Sequence, residues 1–504
     1  MLPAPGENLA DRFLTAAERA PDRLALIVAG EDPVRLTYAD LRARVALTAT
    51  ALHERGVGPG DRVGVLLANG NEYLESMLGA FLLRAIPVNL GLRDTGDELR
   101  AVLDASDTRL VVHEPDLAPP GRAGLARGRD YEAALRAAGD PPVVTDRSGA
   151  DEYILFTGGT TGRPKGVRWR HADLYLGALA AVGTPTAPDR AVRCLPASPF
   201  AHGTGQWMAL TTLLRGGTVV CRRDRSFEPE AVLDTVDAES VSFLAIVGDA
   251  FALPIVEVLE ACPGRWSLSS LTTVLSGGAL LSAPVKRRLL ALLPTLLVVD
   301  GFGASETGGH GRMISVAGAV PDGPPRFAID EQTAVLDDDH RPLVPGDGRV
   351  GWLARRGPIP LGYLDDQASP VSFPVVDGVR WALSGDRATH DADGSIVVLG
   401  RGTSTISTGG HKVHAEEVEG CLRSHPAVRD AVVVGVPDER FGERVTAVVA
   451  PSPDAEPTLA SVQDHCADRL APYKLPRRLV LVDAVQRSPA GKPDYAWARR
   501  VAGA

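Results

Sequence analysis

Residues 156–167 read Phe-Thr-Gly-Gly-Thr-Thr-Gly-Arg-Pro-Lys-Gly-Val and follow the apolar run Tyr153-Ile154-Leu155. Their types suit phosphate. Gly158, Gly159 and Gly162 let successive backbone N–H groups converge on one anion, the hydroxyls of Thr157, Thr160 and Thr161 add donors, and Lys165 adds a point charge. The segment is not the common P-loop, because no Gly-Lys-Ser/Thr follows and Pro164 blocks the helix start such a loop requires. A Gly-rich surface turn would need only one or two glycines and has no use for three threonines and a lysine.

The elements around this loop alternate between helical and strand patterns, as in folds whose parallel strands need crossover helices. Residues 63–67 read as a buried strand after a Gly60-Asp61-Arg62 turn, 72–83 as a helix, 98–105 as a helix and 109–113 as a strand. Residues 114–150 are expected to be loop-rich surface. After the phosphate loop, 230–236 is helix-like, and 243–247, 271–276 and 295–300 are strand-like, the last two ending in Gly277-Gly278-Ala279 and Gly301. Short strands with Pro, Gly and Asp turns over 333–399 predict a β-rich subdomain. A boundary is expected at residues 400–403. Beyond it, 416–422 and 458–470 read as helices and 428–436 and 479–482 as strands, a small α+β domain. The expectation is thus an α/β chain: a large domain over 1–400, built of layered α/β subdomains plus the β-rich one, and a small mobile α+β domain over 401–504.

With 504 residues the chain exceeds the size at which one core stops growing. A composition of 44% hydrophobic and 23% charged residues is that of a globular protein, not a disordered one. The net charge of −10 argues against a general nucleic-acid binder, which needs a basic face. The last 104 residues carry 14 Lys and Arg against 13 Asp and Glu, so a polyanion would approach them more easily than the acidic remainder. Cys194, Cys221, Cys262, Cys421 and Cys466 are odd in number, widely spaced and without a C-x-x-C pair, and read as buried thiols in a reducing compartment. The N-terminus has neither the basic region nor the apolar core of a signal peptide, and the most apolar stretch, 289–299, is interrupted by Pro294 and falls far short of the ~20 residues a membrane span requires. A cytoplasmic protein is expected.

The phosphate loop closely resembles the signature loop of the AMP-forming adenylate-forming enzymes, which include acyl-CoA synthetases, luciferases and peptide-synthetase adenylation domains. The likeness recurs in order from about Leu36 to about Arg499. It implies ATP, Mg²⁺ and coenzyme A as the small molecules handled, a carboxylic acid as substrate, and a role for each matching residue. Thr157 to Gly162 and Lys165 would cradle the phosphates. In Phe302-Gly303-Ala304-Ser305-Glu306, the glutamate would hold Mg²⁺ and Ser305 would contact the α-phosphate; on local pattern alone the pair also reads as a helix N-cap. Gly277-Gly278-Ala279 would lie against adenine, where absent side chains permit close approach. Asp386, in Ser384-Gly385-Asp386, would accept the ribose hydroxyls, with Arg401 nearby; a plain Gly-Asp turn is the alternative.

Lys492, in Pro489-Ala490-Gly491-Lys492, would bring a cation to the reacting carboxylate and α-phosphate, though most lysines are simply surface residues. His202, in Ser198-Pro199-Phe200-Ala201-His202-Gly203, would gate the carboxylate, or else be a packed core histidine. His202, Gly203, Gly278 and Gly303 would line the acyl pocket, and the small residues there, with Gly205, Gly277 and Ala304, leave volume for a bulky or alicyclic acid. Gly409, Gly410 and His411 would line the pantetheine tunnel once the small domain rotates about a pivot at Thr403, where the family usually has Asp or Lys. His411 and His414 are three apart near Glu417, but without a further ligand cluster nearby they do not read as a zinc site. The resemblance implies an acyl-CoA synthetase acting on a fatty, steroid-derived or specialised-metabolite acid. The alternatives are a free-standing enzyme that loads a carrier protein and a ligase-like binding protein without turnover. A homodimer is compatible with it.

Overall fold

A computed structural model describes residues 6–157, 165–180, 192–321, 324–365, 369–438, 440–488 and 491–503. Among them, the largest sheet has thirteen strands. Its central run is parallel, Leu24–Ala29, Thr218–Arg222, Arg193–Pro196, Phe243–Ile246, Thr273–Gly277 and Leu297–Ala304. Those strands are almost uniformly apolar, as parallel strands covered on both faces must be. Helices Pro229–Ala238, Gly248–Ala261 and Ala283–Leu292 are the crossovers, and their apolar sides join one core with Leu244, Ile246, Val274 and Val298.

Beyond Leu297–Ala304 the sheet turns antiparallel through Gly308–Ser315, Arg326–Ile329, Ser395–Arg401, Ala382–His390, Val350–Arg355 and Thr333–Leu336. This is the β-rich stretch expected from its turn residues. A second sheet, all parallel, orders Ile86–Asn89, Arg62–Leu66, Thr108–His113 and Ala123–Ala126. A third pairs Glu152–Thr157 with Lys165–Arg170 and Lys165–Arg170 with Gly362–Tyr363.

Residues 114–150 depart from the loop expectation. They contain the strand Ala123–Ala126 and the helix Arg129–Ala137. That helix buries Tyr131, Ala134 and Leu135, an i, i+3, i+4 stripe, and starts at Gly128 without a side-chain cap. Lacking the usual start signal, it was masked by the surrounding Gly and Pro residues.

After Ser395–Arg401, a short 3-10 turn at Gly402–Ser404 leads into a separate sheet ordered His411–His414, Thr405–Thr408, Gly442–Pro451 and Val428–Asp438, with Arg478–Leu481 parallel to Gly442–Pro451. Helices Ala415–Leu422, Leu459–Ala467 and Tyr495–Ala502 pack on it, and Val413, Val418, Val433, Val445 and Val462 form its own core. None of the described helices is long and apolar enough to cross a membrane. Four of the five cysteines are buried and Cys262 is half-buried; all are free thiols.

Candidate active site

The cleft lies at the carboxyl ends of the parallel strands, where open α/β sheets bind ligands, and the small domain closes it from above. Its volume of about 2170 Å³ exceeds what one drug-sized ligand fills, so nucleotide and acid fit together. Strand pairing explains how distant residues meet. Thr157 and Lys165 are direct partners across an antiparallel pair, and both line the cleft. Gly158, Gly159, Thr160, Thr161 and Gly162 lie outside the described residues. Lys165 places its Nζ 5.1 Å from the Tyr363 ring centre, and the Tyr363 hydroxyl donates to Glu306 Oε1 at 3.2 Å. Tyr363 was not singled out from the sequence, where it sits in a two-residue strand with no motif around it.

Ser305 and Glu306 occupy the turn between the antiparallel strands Leu297–Ala304 and Gly308–Ser315. No helix begins there, so the N-cap alternative is overturned: the hairpin register uses the backbone that a helix would need. The turn is tied down from outside, because Trp169 Nε1 donates to the Ser305 carbonyl at 3.0 Å. With Oε1 accepting from Tyr363, the carboxylate of Glu306 presents a hard anionic oxygen to the cleft. Among the described residues no cluster of three His, Cys, Asp or Glu could cage a metal ion. A single carboxylate beside a triphosphate is the donor set that suits Mg²⁺, which commonly uses one or two protein carboxylates and the substrate phosphates.

Gly277, Gly278 and Ala279 end the strand beside Gly301, its register partner. A Cβ at Gly277 would meet nothing closer than 3.6 Å, an ordinary contact distance, so that position has room for one. Gly303 and Gly205 behave otherwise and correct the reading that every small residue here leaves volume. A Cβ at Gly303 would lie 2.4 Å from the Gly308 carbonyl oxygen, and one at Gly205 2.6 Å from those of Ser198 and Pro199. Those glycines let backbones touch. Phe302 packs against Phe327 and His310.

Asp386 and Arg401 are cross-strand partners, with Oδ1 and Nε 4.0 Å apart. Burial pushes the Asp386 carboxyl above its ordinary range, and Arg401 opposes that shift. His202 stands at the N-cap position of helix Gly203–Leu214. Burial, then the nearby Lys492 ammonium, push its pKa down to about 4, so the imidazole is neutral at physiological pH. It is therefore not a plain core histidine: it borders the cleft.

Lys492 arrives from the small domain. It is open to the solvent-filled cleft yet enclosed by protein, and this loss of water, with Arg401, lowers its pKa while Glu306, Asp386 and Glu416 oppose the drop. Its loop is braced: Arg487 bonds Asp430 at 2.8 and 3.0 Å and the Gly491 carbonyl at 2.9 Å. The domains touch closely elsewhere. Gly400 admits Glu416, whose side-chain atoms would lie 2.9 to 3.1 Å from any Cβ there, and Arg429 forms a two-bond ion pair with Glu257 at 2.9 and 3.0 Å. Glu416, with its pKa pushed up to about 7 by burial and by Asp386, was quoted in a matching stretch but given no role by sequence reasoning.

The structure thus brings Lys492, Glu306, Asp386, Arg401, His202 and Lys165 into one cleft. It does not bring Gly409, Gly410 and His411 there: the two glycines form a hairpin tip on the small domain, and His411 stacks on Tyr473 at 4.3 Å. Thr403 lies in the 3-10 turn between the domains, its side chain outside the described residues.

Beside His202 the cleft is lined by a residue that the sequence did not flag. Trp207, one turn after His202, lines the cavity, donates from Nε1 to the Tyr153 hydroxyl at 3.2 Å and meets Trp169 edge-on. Tyr153 is in turn bonded to Gln206. An indole held this firmly is a fixed wall. Trp207→Ala is expected to raise kcat/KM for bulky acids relative to small ones by about tenfold, the scale that resizing an apolar pocket gives; an unchanged ratio across a panel of acids would remove Trp207 from the acyl wall.

Comparison with known proteins places these features. Residues 13–364 match the AMP-binding enzyme family, and residues 417–492 match the AMP-binding enzyme C-terminal domain. The chain is 39% identical to a 3-oxocholest-4-en-26-oate–CoA ligase from Rhodococcus rhodochrous, over 98% of this chain and 95% of the relative. It is also 39% identical to a medium/long-chain-fatty-acid–CoA/3-oxocholest-4-en-26-oate–CoA ligase from Mycolicibacterium smegmatis, over 98% and 96%. Among solved structures, ATP-bound MatB from Rhodopseudomonas palustris superposes with a TM-score of 0.82 at 26% identity, covering 98% of each chain. The anthranilate CoA ligase AuaEII with anthranoyl-AMP shares the fold, with a TM-score of 0.86 at 21% identity over 99% and 98%.

Proposed function

The chain belongs to the AMP-binding enzyme family, and from that premise we propose that it is an AMP-forming acyl-CoA ligase whose acid is bulky, a fatty or sterol-derived carboxylate. The observation that carries the site assignment is the meeting of Lys492, from the small domain, with Glu306, Asp386, Arg401 and His202, from the large one. This is the arrangement required by the first half-reaction. Adenine lies on the Gly277–Ala279 backbone, Asp386 and Arg401 take the ribose, and Thr157 and Lys165 flank the phosphates. Glu306 would hold Mg²⁺, which when bound neutralises phosphate charge.

The acid enters past Trp207 with its carboxylate beside neutral His202, which adds no second positive charge to hold the acid in its ground state. One carboxylate oxygen attacks the α-phosphorus, the bond to pyrophosphate breaks, and Lys492 stabilises the charge on the oxygens between. The small domain then turns about residues 401–404 and presents Gly409-Gly410. The CoA sulfur attacks the acyl carbonyl, AMP leaves with the bonding electron pair, and the thiol proton passes to solvent. ATP, CoA and free thiols together argue for work in the cytoplasm, and a homodimer fits the family; fractionation and light scattering test these two points.

CoA-dependent AMP release, screened over aliphatic and polycyclic acids, tests the reading. Release with free CoA supports it; release only with a holo-carrier protein makes the chain a carrier-loading enzyme, and no pyrophosphate with any acid makes it a binding protein. Gly410→Leu probes the second half-reaction. Gly409 and Gly410 adopt φ of +56° and +81°, so a leucine adds roughly 1–2 kcal/mol of local strain, but a Cβ at Gly410 would meet no atom within 4 Å in this orientation. Acyl-AMP should therefore form at the wild-type rate and accumulate, while thioester formation falls by about tenfold or more. Equal loss of both steps in a folded variant would contradict the tunnel assignment.

A further inference from the structure

Glu416 stands on the boundary between the two domains. It lies in the first turn of helix Ala415–Leu422, on the small domain, and its side chain fills the space left by the missing Cβ of Gly400, on the large one. Three of its atoms would lie 2.9 to 3.1 Å from a Cβ there, closer than a real side chain tolerates. The connection between the domains is packed as closely: a Cβ at Gly402 would lie 2.9 Å from the Trp352 indole, which Arg387 covers at 3.7 Å from the ring centre. Unlike its neighbours, Glu416 has no cation of its own. Glu417 holds Lys474 at 2.7 Å, and Glu419 accepts from Arg423 and from the Val433 N–H, each at 3.0 Å. Arg423 is further committed to Asp430 at 3.2 Å and to the Ala431 carbonyl at 2.8 Å. Glu416 makes no hydrogen bond or ion pair among the described residues. The groups that face it are the acids Asp386 and Glu419, the cations Arg401, Arg423 and Lys492, and the Tyr495 hydroxyl. Burial first, then Asp386 and Glu419, push its carboxyl up to about 7, against the ~4.3 of a glutamate in water.

We propose that Glu416 is a positioning residue that couples the domain turn to one proton: it sits against Gly400 and Asp386 as a neutral acid while acyl-AMP forms, and gives its proton to solvent when the turn carries it into water. The inference rests on the CoA-ligase reading and deepens it by naming what biases the turn. Gly400 and Asp386 lie on one side of the pivot and Glu416 on the other, so the motion that takes Lys492 away also unseats Glu416. A seated carboxyl that keeps its proton up to about pH 7, and an exposed one that loses it near ~4.3, bind different numbers of protons between those values. The adenylating orientation is therefore favoured most below the lower value, and that advantage is lost as pH rises through the upper one. Above it, a seated Glu416 is charged beside Asp386 without a cation of its own, and the turn is correspondingly easier.

The test follows domain orientation directly, by energy transfer between one dye on each domain of the full chain, in wild type, Glu416→Gln and Glu416→Asp. In the wild type the ratio of adenylating to turned orientation should fall about tenfold between pH 6 and pH 8, the change that one proton with these two affinities produces. Glutamine cannot ionise, so its ratio should stay level over the same range and favour the adenylating orientation throughout. Aspartate keeps the titrating group and should keep part of the slope. His202, Asp386 and Lys492 are present in all three proteins, so the difference between wild type and the glutamine variant isolates position 416. The thioester step from supplied acyl-AMP and CoA gives a second reading: the rate of the glutamine variant relative to wild type at the same pH should drop by about tenfold from pH 6 to pH 8, which a merely structural role would not produce. Equal pH slopes in wild type and Glu416→Gln, or a level ratio in wild type whose dyes still respond to acid, ATP and CoA, overturn the proposal. A dye distance that responds neither to pH nor to acid, ATP and CoA overturns the domain turn of the ligase reading first, and this proposal with it.

Discussion

Lys492→Ala should all but abolish formation of acyl-AMP from acid and ATP while leaving the conversion of supplied acyl-AMP and CoA to thioester near the wild-type rate. The ammonium lies in the field of Glu306, Asp386, Glu416 and Arg401, on a segment braced through Arg487 and Asp430 that brings it to the cleft before the reaction. A preorganised charge at the developing oxyanion is worth roughly a hundredfold to a thousandfold in rate, on the order of 2.7–4 kcal/mol. With the proposed turn of the small domain, thiol attack would use its other face and would not need this lysine. Rapid-quench measurement of both half-reactions checks the separation. A folded variant that loses both steps would contradict the domain turn, and one that loses neither would show that other residues stabilise adenylation.

Glu306→Gln should lower adenylation by roughly tenfold to a thousandfold, about 1.4 to 4 kcal/mol, with the fold intact. The amide keeps the size of the carboxylate and can keep one contact with Tyr363, which sits 3.2 Å from Oε1, but it removes the negative charge that would hold Mg²⁺. The apparent Mg²⁺ requirement should rise with the loss of rate. Activity unchanged at every Mg²⁺ concentration would reduce Glu306 to a residue that merely holds the hairpin turn.

The elements that position this chemistry were largely legible in the chain, because buried parallel strands such as 243–246, and the 297–299 start of the strand that leads to Ser305, announce themselves as apolar runs. What escaped is what depends on long-range pairing. Tyr363 reaches Glu306 only because Gly362–Tyr363 adds a third strand beside Lys165–Arg170. The role of Trp207 depends on Tyr153 and Trp169, far away in sequence, to hold its indole. Helix 129–137 carried a short apolar stripe without a cap, too weak a pattern to stand out. The helix-cap reading of Ser305-Glu306 failed because a two-residue motif cannot say whether helix or hairpin follows; the register of Gly308–Ser315 decides that. Gly303 and Gly205 were misread for a related reason, since whether a missing side chain leaves room or lets two backbones touch depends on what lies opposite, as Gly277 and Gly303 show.

The most direct test follows oxygen. When an accepted acid labelled with oxygen-18 in its carboxylate is turned over with ATP, Mg²⁺ and CoA, attack of that carboxylate on the α-phosphorus leaves one of its oxygens on AMP after the thiol displaces it. Mass spectrometry of the wild-type reaction should find one labelled oxygen in AMP, none in pyrophosphate, and AMP and acyl-CoA in equal amounts. Label in inorganic phosphate with ADP as the other product, or AMP free of label, would contradict an acyl-adenylate built in this cleft.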